Sequence, residues 1–304
     1  CTSTTAPSAR IATAMSLVEE HNPELKGVLP RGYNGLPNTT LVELLRLLAP
    51  LDLQGEVSFN KVDFTYAHTG IHALKDFTLN IRKGEKVAIV GRTGSGKTTL
   101  VQLLLRMVEP DQGTIKLDGQ DIRNLSLRSI REQVSYVPQD VFLFSDTVEN
   151  NIRFGAPHAD RAQVVQAAKA ASVDNEILGF AHQYDTMIGE RGVTLSGGQK
   201  QRISIARALI REPKLVIFDD CLSAVDAKTE KAIIGHLDEF LRDRTALIIT
   251  HRIFSLFRFD KIVVLEDGRI VEEGTHDSLL AMGGYYADLF ARQQEQERSQ
   301  PPVA

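Results

Sequence analysis

One stretch constrains this chain more than any other. Lys86–Val90 reads KVAIV, a continuous apolar run of the kind that forms a strand covered on both faces. TTLVQLLLRMV, beginning at Thr98, has a helical pattern. Between them, Gly91-Arg92-Thr93-Gly94-Ser95-Gly96-Lys97-Thr98 fits G-x-x-x-x-G-K-[ST], the phosphate-binding P-loop. The glycines let the backbone curl so that its N–H groups point inward at phosphate oxygens, and the helix adds its positive N-terminal end. Lys97 is placed to meet β- and γ-phosphates and the Thr98 hydroxyl to ligate Mg²⁺, with Thr99 next to them in the helix. A plain Gly-rich turn is the competing reading, but it does not require a strand before and a helix after.

Three more apolar runs end in the same way. VSYV (134–137) leads into Pro138-Gln139-Asp140, LVIF (215–218) into Asp219-Asp220, and TALIIT (245–250) into His251. In an open parallel sheet, ligands bind outside the carboxyl ends of the strands. Taken singly, the aspartates read as a solvated strand end, Gln139 as a surface turn and His251 as an ordinary histidine. Beside a P-loop, Asp219 is placed to hold Mg²⁺, usually through water, and Asp220 to orient or deprotonate an attacking water.

LSGGQKQR (195–202) is the most diagnostic segment. Ser196, Gly197 and Gly198 form a helix N-terminus with donors exposed, a second anion site in one chain. Apolar Ile203, Ala206, Leu209 and Ile210 anchor one face of that helix, predicted over 197–211 and stopped by Pro213. A simple N-cap explains Ser196 but not the Gly-Gly-Gln after it. Residues 160–180 also read as helix. GEVSFNKVDFTY alternates as a half-exposed strand does, and TIKLDGQDI and KIVVLEDGRIVEEG each place Asp-Gly between apolar runs, a hairpin signal.

In this order and spacing the motifs resemble the nucleotide-binding domain of ATP-binding cassette (ABC) transporters, over about residues 55–293. The resemblance implies an α/β fold: a P-loop NTPase core with a parallel sheet, an antiparallel β-subdomain, and a helical signature subdomain at about 145–211. It makes LSGGQ the signature motif, with Ser196, Gly197, Gly198 and Gln199 facing nucleotide. Gln139 becomes the Q-loop residue, a Mg²⁺ ligand with Thr98 and Asp219. His251 becomes the switch histidine, SAVD (223–226) the D-loop with Asp226 at the nucleotide, and Tyr66 the aromatic residue that stacks on adenine. ATP and Mg²⁺ are the implied cofactors. The implied assembly is a head-to-tail dimer in which each ATP lies between one P-loop and the opposite signature, coupled to ABC transmembrane domains at the cytoplasmic face of the membrane. Contact with the membrane itself is then indirect. YDTMIGERGVTLSGGQ and GTHDSLLAMGGYYADLF resemble the exporter branch, where Glu190 falls in the segment associated with the membrane domains.

One position departs from the pattern. Fully hydrolytic family members carry Glu after the magnesium-binding Asp; here Asp220 stands there. Its carboxylate reaches about 1.5 Å less far, and a misplacement of about an ångström can cost on the order of a hundredfold in rate. Acidity is a poor alternative cause, since Asp and Glu differ by about 0.4 pK units. An intact signature with a shortened carboxylate resembles one half of a heterodimeric exporter. Two other classes compete: a module that dimerises on ATP with little turnover, favoured by Asp220, and a soluble non-transport ABC ATPase. The last generally carries large insertions or tandem cassettes, and a single cassette is seen here.

The 35 basic and 39 acidic residues leave a net charge of −4, so no nucleic-acid partner is expected. Two cysteines, Cys1 and Cys221, make no disulfide framework; Cys221 reads as a small buried residue beside a strand end. No run approaches the ~18–20 apolar residues that cross a bilayer. The chain does not begin with Met and is expected to be a piece of a longer polypeptide. Residues 1–54 hold a Ser/Thr/Ala tract, Pro23, Pro30 and Pro37, and a helical pattern stopped by Pro50. EEHNPELKGVLPRGYNGLPNTTLVELLRLLAPLDL is similar to part of the N-terminal helical region of type I restriction–modification methylation subunits. The Asn-Pro-Pro-aromatic pattern of adenine methylation is missing, so a methyltransferase reading fails, leaving a fusion, a junction or a divergent linker. Residues 294–304 read as a disordered, solvated tail.

Overall fold

The computed structural model describes residues 53–189, 194–221, 227–251 and 258–299. The N-terminal segment up to residue 52, Glu190 and the SAVD segment with Asp226 lie outside the described residues.

The chain begins with β1 (Val57–Tyr66) and β2 (Ile71–Ile81), then β3 (Lys86–Val90) and α1 (Lys97–Leu104). β4 (Gln112–Leu117) and β5 (Gln120–Asp121) follow, then α2 (Leu127–Gln133) and β6 (Val134–Val137). A helical stretch holds α3 (Val148–Arg153), α4 (Arg161–Ala170), α5 (Asp174–Leu178) and α6 (Gly197–Leu209). The chain then returns through β7 (Leu215–Asp219), α7 (Ala227–Phe240), β8 (Thr245–Thr250), β9 (Lys261–Glu266), β10 (Arg269–Gly274), α8 (His276–Met282) and α9 (Tyr285–Ser299).

The strands sort into two sheets. One is four-stranded and antiparallel, ordered β2-β1-β4-β5; the other is six-stranded, ordered β10-β9-β3-β8-β7-β6. In the larger sheet all neighbours are parallel except β10, which folds back on β9. The two Asp-Gly hairpins expected from sequence close β4–β5 and β9–β10. Their turn residues, Asp118 and Gly119 (φ 47° and 76°) and Asp267 and Gly268 (φ 45° and 76°), have the paired positive φ of a type I′ turn.

The apolar runs of the parallel strands are buried on both faces. Val87, Ile89, Leu215, Ile217, Leu247 and Ile249 face α1 and the antiparallel sheet. Val216, Phe218, Ala246 and Ile248 face the helical layer, while Ala88, Val90, Ile262 and Val264 meet Leu279 and Tyr286 near the C-terminus. Full burial of each such side chain is worth about 1.5–3 kcal/mol, so the sheet holds its strand ends in fixed register. Leu53 is already fully buried beside Val57 and Phe59, so the packed unit begins before Gly55.

Two sequence expectations need correction. The single helix predicted over 160–180 is two helices, because Ser172 takes a left-handed backbone (φ 55°) and its hydroxyl pairs with His236 Nδ1 at 2.7 Å. The tail predicted from residue 294 is helical as far as Ser299, as the end of α9.

Candidate functional site

The loop after β3 is shaped by close approach. A Cβ on Gly91 would lie 2.2 Å from the Leu265 carbonyl oxygen on β9 and 2.8 Å from Ser95 Oγ. Gly96, the N-cap of α1, has φ 106°, and a Cβ there would lie 2.5 Å from the Ala73 carbonyl oxygen. A side chain fits neither the conformation nor the space. Ser95, Lys97 and Thr99 are buried, whereas Arg92, Thr93, Gly94 and Thr98 face outward.

Lys97 is 6% exposed. Its Nζ donates to the carbonyl oxygens of Gly91 and Arg92, each at 2.8 Å, so the ammonium lies under the loop at the base of the cradle. Burial draws its pKa below the ordinary lysine value, and the nearby Asp219 and Asp220 carboxylates oppose that shift. The Arg92 guanidinium lies over the Tyr285 ring of α9, 5.6 Å from its centroid.

The neighbouring strand ends supply the rest. β8 and then β7 and β6 lie beside β3, which brings His251, Asp219-Asp220 and Gln139 to the same edge of the sheet. Asp219 is 4% exposed. Burial raises its pKa and Asp220 adds to the rise, while Tyr136, Lys97 and His251 act against it. Asp220 sits at φ 45° just past β7, its backbone N–H donating to the Ile249 carbonyl at 2.8 Å. Asp occupies the left-handed region more readily than most residues. Gln139 and His251 are exposed at their strand ends. Cys221 is fully enclosed, and burial pushes its thiol pKa up, which leaves it an inert packing residue.

Tyr66 closes β1 and is tied to α1. Its hydroxyl pairs with Thr99 Oγ1 at 3.0 Å and donates to Gln102 Oε1 at 2.8 Å. Phe64 packs edge-on against its ring, with centroids 4.9 Å apart. The antiparallel sheet thereby holds an aromatic ring at a set position beside the glycine loop.

The signature residues stand apart, on the helical layer. Ser196 caps α6 in a reciprocal capping box: its Oγ accepts from Gln199 N–H at 3.2 Å, and its own N–H donates to Gln199 Oε1 at 2.9 Å. Ser196 and Gly197 are exposed, Gly198 and Gln199 half-buried, and nothing lies within 4 Å of a Cβ built on Gly197. Arg202, one turn on, is buried and paired with Glu176 of α5, so the basic turn is partly structural. α6 packs on α3, α4 and β6. The sequence candidates therefore divide into a P-loop cluster (Tyr66, residues 91–99, Gln139, Asp219, Asp220, His251) and a separate, outward-facing signature.

The residues fit a magnesium–triphosphate ligand. The glycine cradle leaves backbone room where a Cβ cannot go, a buried lysine stands at its base, and Thr98, Gln139 and Asp219 offer only oxygen donors, the preference of Mg²⁺.

Two features escaped the sequence reading. Tyr136 of β6 donates its hydroxyl to Asp219 Oδ2 at 3.1 Å. Met107, Phe142 and Phe154 are more than half exposed around a groove that Tyr136, Arg207 and Arg211 also line. Arg207 is fixed there by the carbonyl oxygens of Phe142 and Asn151 at 2.8 Å and by the rings of Phe144 and Phe154. Nothing local in the sequence marked either feature.

Comparison with known proteins bears on the family. A family model described as ABC transporter matches residues 74–223. YheI of Bacillus subtilis, a probable multidrug resistance ABC transporter ATP-binding/permease protein, is 44% identical over 278 residues, covering 89% of this chain and 48% of that protein. The mitochondrial iron-sulfur clusters transporter atm1 of Neurospora crassa is 42% identical over 247 residues, covering 79% of this chain and 34% of that protein. The solved structure of a bacterial Atm1-family ABC exporter with ATP bound matches with a TM-score of 0.76 at 37% identity, over 84% of this chain and 47% of that one. The chain spans less than half the length of each of these relatives. Among the described residues no helix is long and apolar enough to cross a membrane. With the motifs, the two sheets and these likenesses together, the chain is an ATPase domain of the ABC transporter family, homologous to Atm1-family exporters.

Proposed function

We propose that this domain binds Mg-ATP in its own P-loop and drives export by an ABC transporter from the cytoplasmic face of the membrane, with slow hydrolysis at its own site. The observation that carries the reading is the burial of Lys97 beneath the glycine loop that follows β3, together with the burial of Asp219 at the end of β7, two parallel strands that both pair with β8. Loop N–H groups from Gly94 to Thr98 and the Lys97 ammonium hold the phosphates. Tyr66 presents its ring to the adenine. Magnesium, when bound, neutralises phosphate charge, with Thr98, Gln139 and Asp219 as its protein-side donors. Asp220 orients the attacking water, and His251 and Gln139 border the same space.

Asp220 also sets the limit. Its shorter side chain starts from a backbone pinned to Ile249, so the chain cannot shift forward to recover the lost reach. ATP is held here and cleaved slowly, while the outward-facing Ser196–Gln199 end completes the nucleotide site of a facing second domain carrying Glu. Two exposed ends on one molecule suit a head-to-tail pair. Charge on the γ-phosphate is then met from both sides, and its removal releases the pair.

The groove between the sheet and the helical layer is the docking place for the membrane domain. Its exposed Met107, Phe142 and Phe154 are rimmed by Arg131, Arg207 and Arg211, which favours a short apolar segment with acidic ends. A matched relative is an ATP-binding/permease protein about twice the length of the matched region, so such a segment has chain to come from.

Single-turnover hydrolysis tests the reading, with the domain mixed with a Glu-bearing partner whose own site is disabled. Asp220→Glu is expected to raise the rate at this site about tenfold or more. An unchanged rate would reject the weak-site reading. ATP-driven pairing without turnover in either form would favour the second reading, a dimerising module, for which Asp220 also speaks.

A further inference from the structure

β6 lies beside β7 in parallel, with Tyr136 opposite Ile217 and Val137 opposite Phe218. Because side chains alternate, Tyr136, Ile217 and Asp219 share one face of the sheet, the face covered by α1. Tyr136 is therefore the diagonal neighbour of Asp219, a separation that an aromatic side chain spans and a serine or threonine does not. Its hydroxyl meets Oδ2 at 3.1 Å. Asp219 is almost fully buried, so little water reaches that oxygen in place of the phenol. An ionised carboxylate only accepts, so the phenol is the donor.

The Asp219 carboxyl group can rotate about its last bond, and a cation ligand needs that rotation fixed. Lys97 pulls on the carboxylate from the loop side, and Asp220 repels it from the next position. Both effects are electrostatic and neither is a hydrogen bond to one chosen oxygen. Tyr136 makes such a bond, from a strand whose backbone is itself paired to β7.

We propose that Tyr136 is a positioning residue for the magnesium site: by occupying Oδ2 it fixes the rotation of the Asp219 carboxylate and leaves Oδ1 as the oxygen available to the cation. The inference rests on the Mg-ATP reading of the P-loop cluster. Tyr136 does not touch nucleotide or reacting atoms in this role. Its effect passes through Asp219 alone, so it should alter the grip on magnesium while leaving the grip on phosphate intact.

Equilibrium binding of ATP, measured once in Mg²⁺ and once in EDTA, separates those two effects. Tyr136→Phe keeps the ring and removes only the hydroxyl. It is expected to cut the gain in ATP affinity on adding Mg²⁺ about tenfold, the scale of a hydrogen bond to a charged group, with EDTA binding unchanged. Asp219→Asn gives the scale of a damaged cation ligand for comparison. A magnesium gain equal to wild type would overturn the proposal while leaving the nucleotide reading in place. Equal losses in Mg²⁺ and in EDTA would overturn it too, by showing a structural role for the hydroxyl. Wild-type protein that shows no ATP binding in either condition would overturn the Mg-ATP reading, and this inference with it.

Discussion

Two helix starts in this molecule offer N–H groups to an anion, and they are built in opposite ways. α1 begins at Gly96 in a left-handed conformation with no side-chain cap, wedged against Ala73, with Lys97 drawn inward beneath the loop. α6 begins at Ser196 with a complete capping box, open space beside Gly197 and, among the described residues, no comparable enclosure. The first is a finished cradle that draws its walls from β2, β3 and β9 of the same chain. The second is a stable, self-capped end facing outward, a half-site. Helix ends of similar chemistry thus differ in whether the rest of the site is supplied by their own chain.

The comparison breaks most visibly at the glycines. Gly96→Ala forces a left-handed alanine, at about 1–2 kcal/mol, and drives its Cβ into the Ala73 carbonyl. The unfolding midpoint should fall by several degrees and ATP binding should be lost. Gly197→Ala meets nothing within 4 Å and replaces Gly by the best helix former, so the midpoint should hold or rise while ATP-driven pairing with a second domain weakens. Thermal unfolding beside a pairing assay reads both. If Gly197→Ala damaged ATP binding by the isolated domain as much as Gly96→Ala does, the two ends would be equivalent after all.

A smaller effect sharpens the same contrast. Ser196→Ala removes the cap and should cost about 1 kcal/mol of stability, read from denaturant unfolding. That loss should be matched when Gln199 is also replaced, because the two side chains form one reciprocal unit. An additive loss would mean that the capping box does not act as a unit.

The parts legible in the sequence were those where chemistry and local pattern coincide. Val87–Val90, Leu215–Phe218 and Thr245–Thr250 announced themselves as buried parallel strands, because each is a continuous apolar run with a polar end. Asp118-Gly119 and Asp267-Gly268 announced turns, because few other dipeptides accept two positive φ values. Ser172 announced nothing: serine has no strong preference for a left-handed backbone, and its partner His236 lies 64 residues away. Tyr136 was missed for a related reason. Its role depends on the β6–β7 register, which sets it diagonal to Asp219 and which no local pattern encodes. The anchoring of Tyr66 to Thr99 and Gln102 likewise needed the antiparallel sheet placed over α1.

ATP binding by the isolated domain, followed by ATP-driven association with a second domain, tests the central claim most directly when Lys97→Ala and Ser196→Ala are compared. Removing a buried charged partner costs about 2–5 kcal/mol, so Lys97→Ala should abolish measurable binding and association together. Ser196→Ala should bind ATP with wild-type affinity and fail only to associate. Equal ATP affinity in wild type and Lys97→Ala, or loss of ATP binding in Ser196→Ala, would contradict the account.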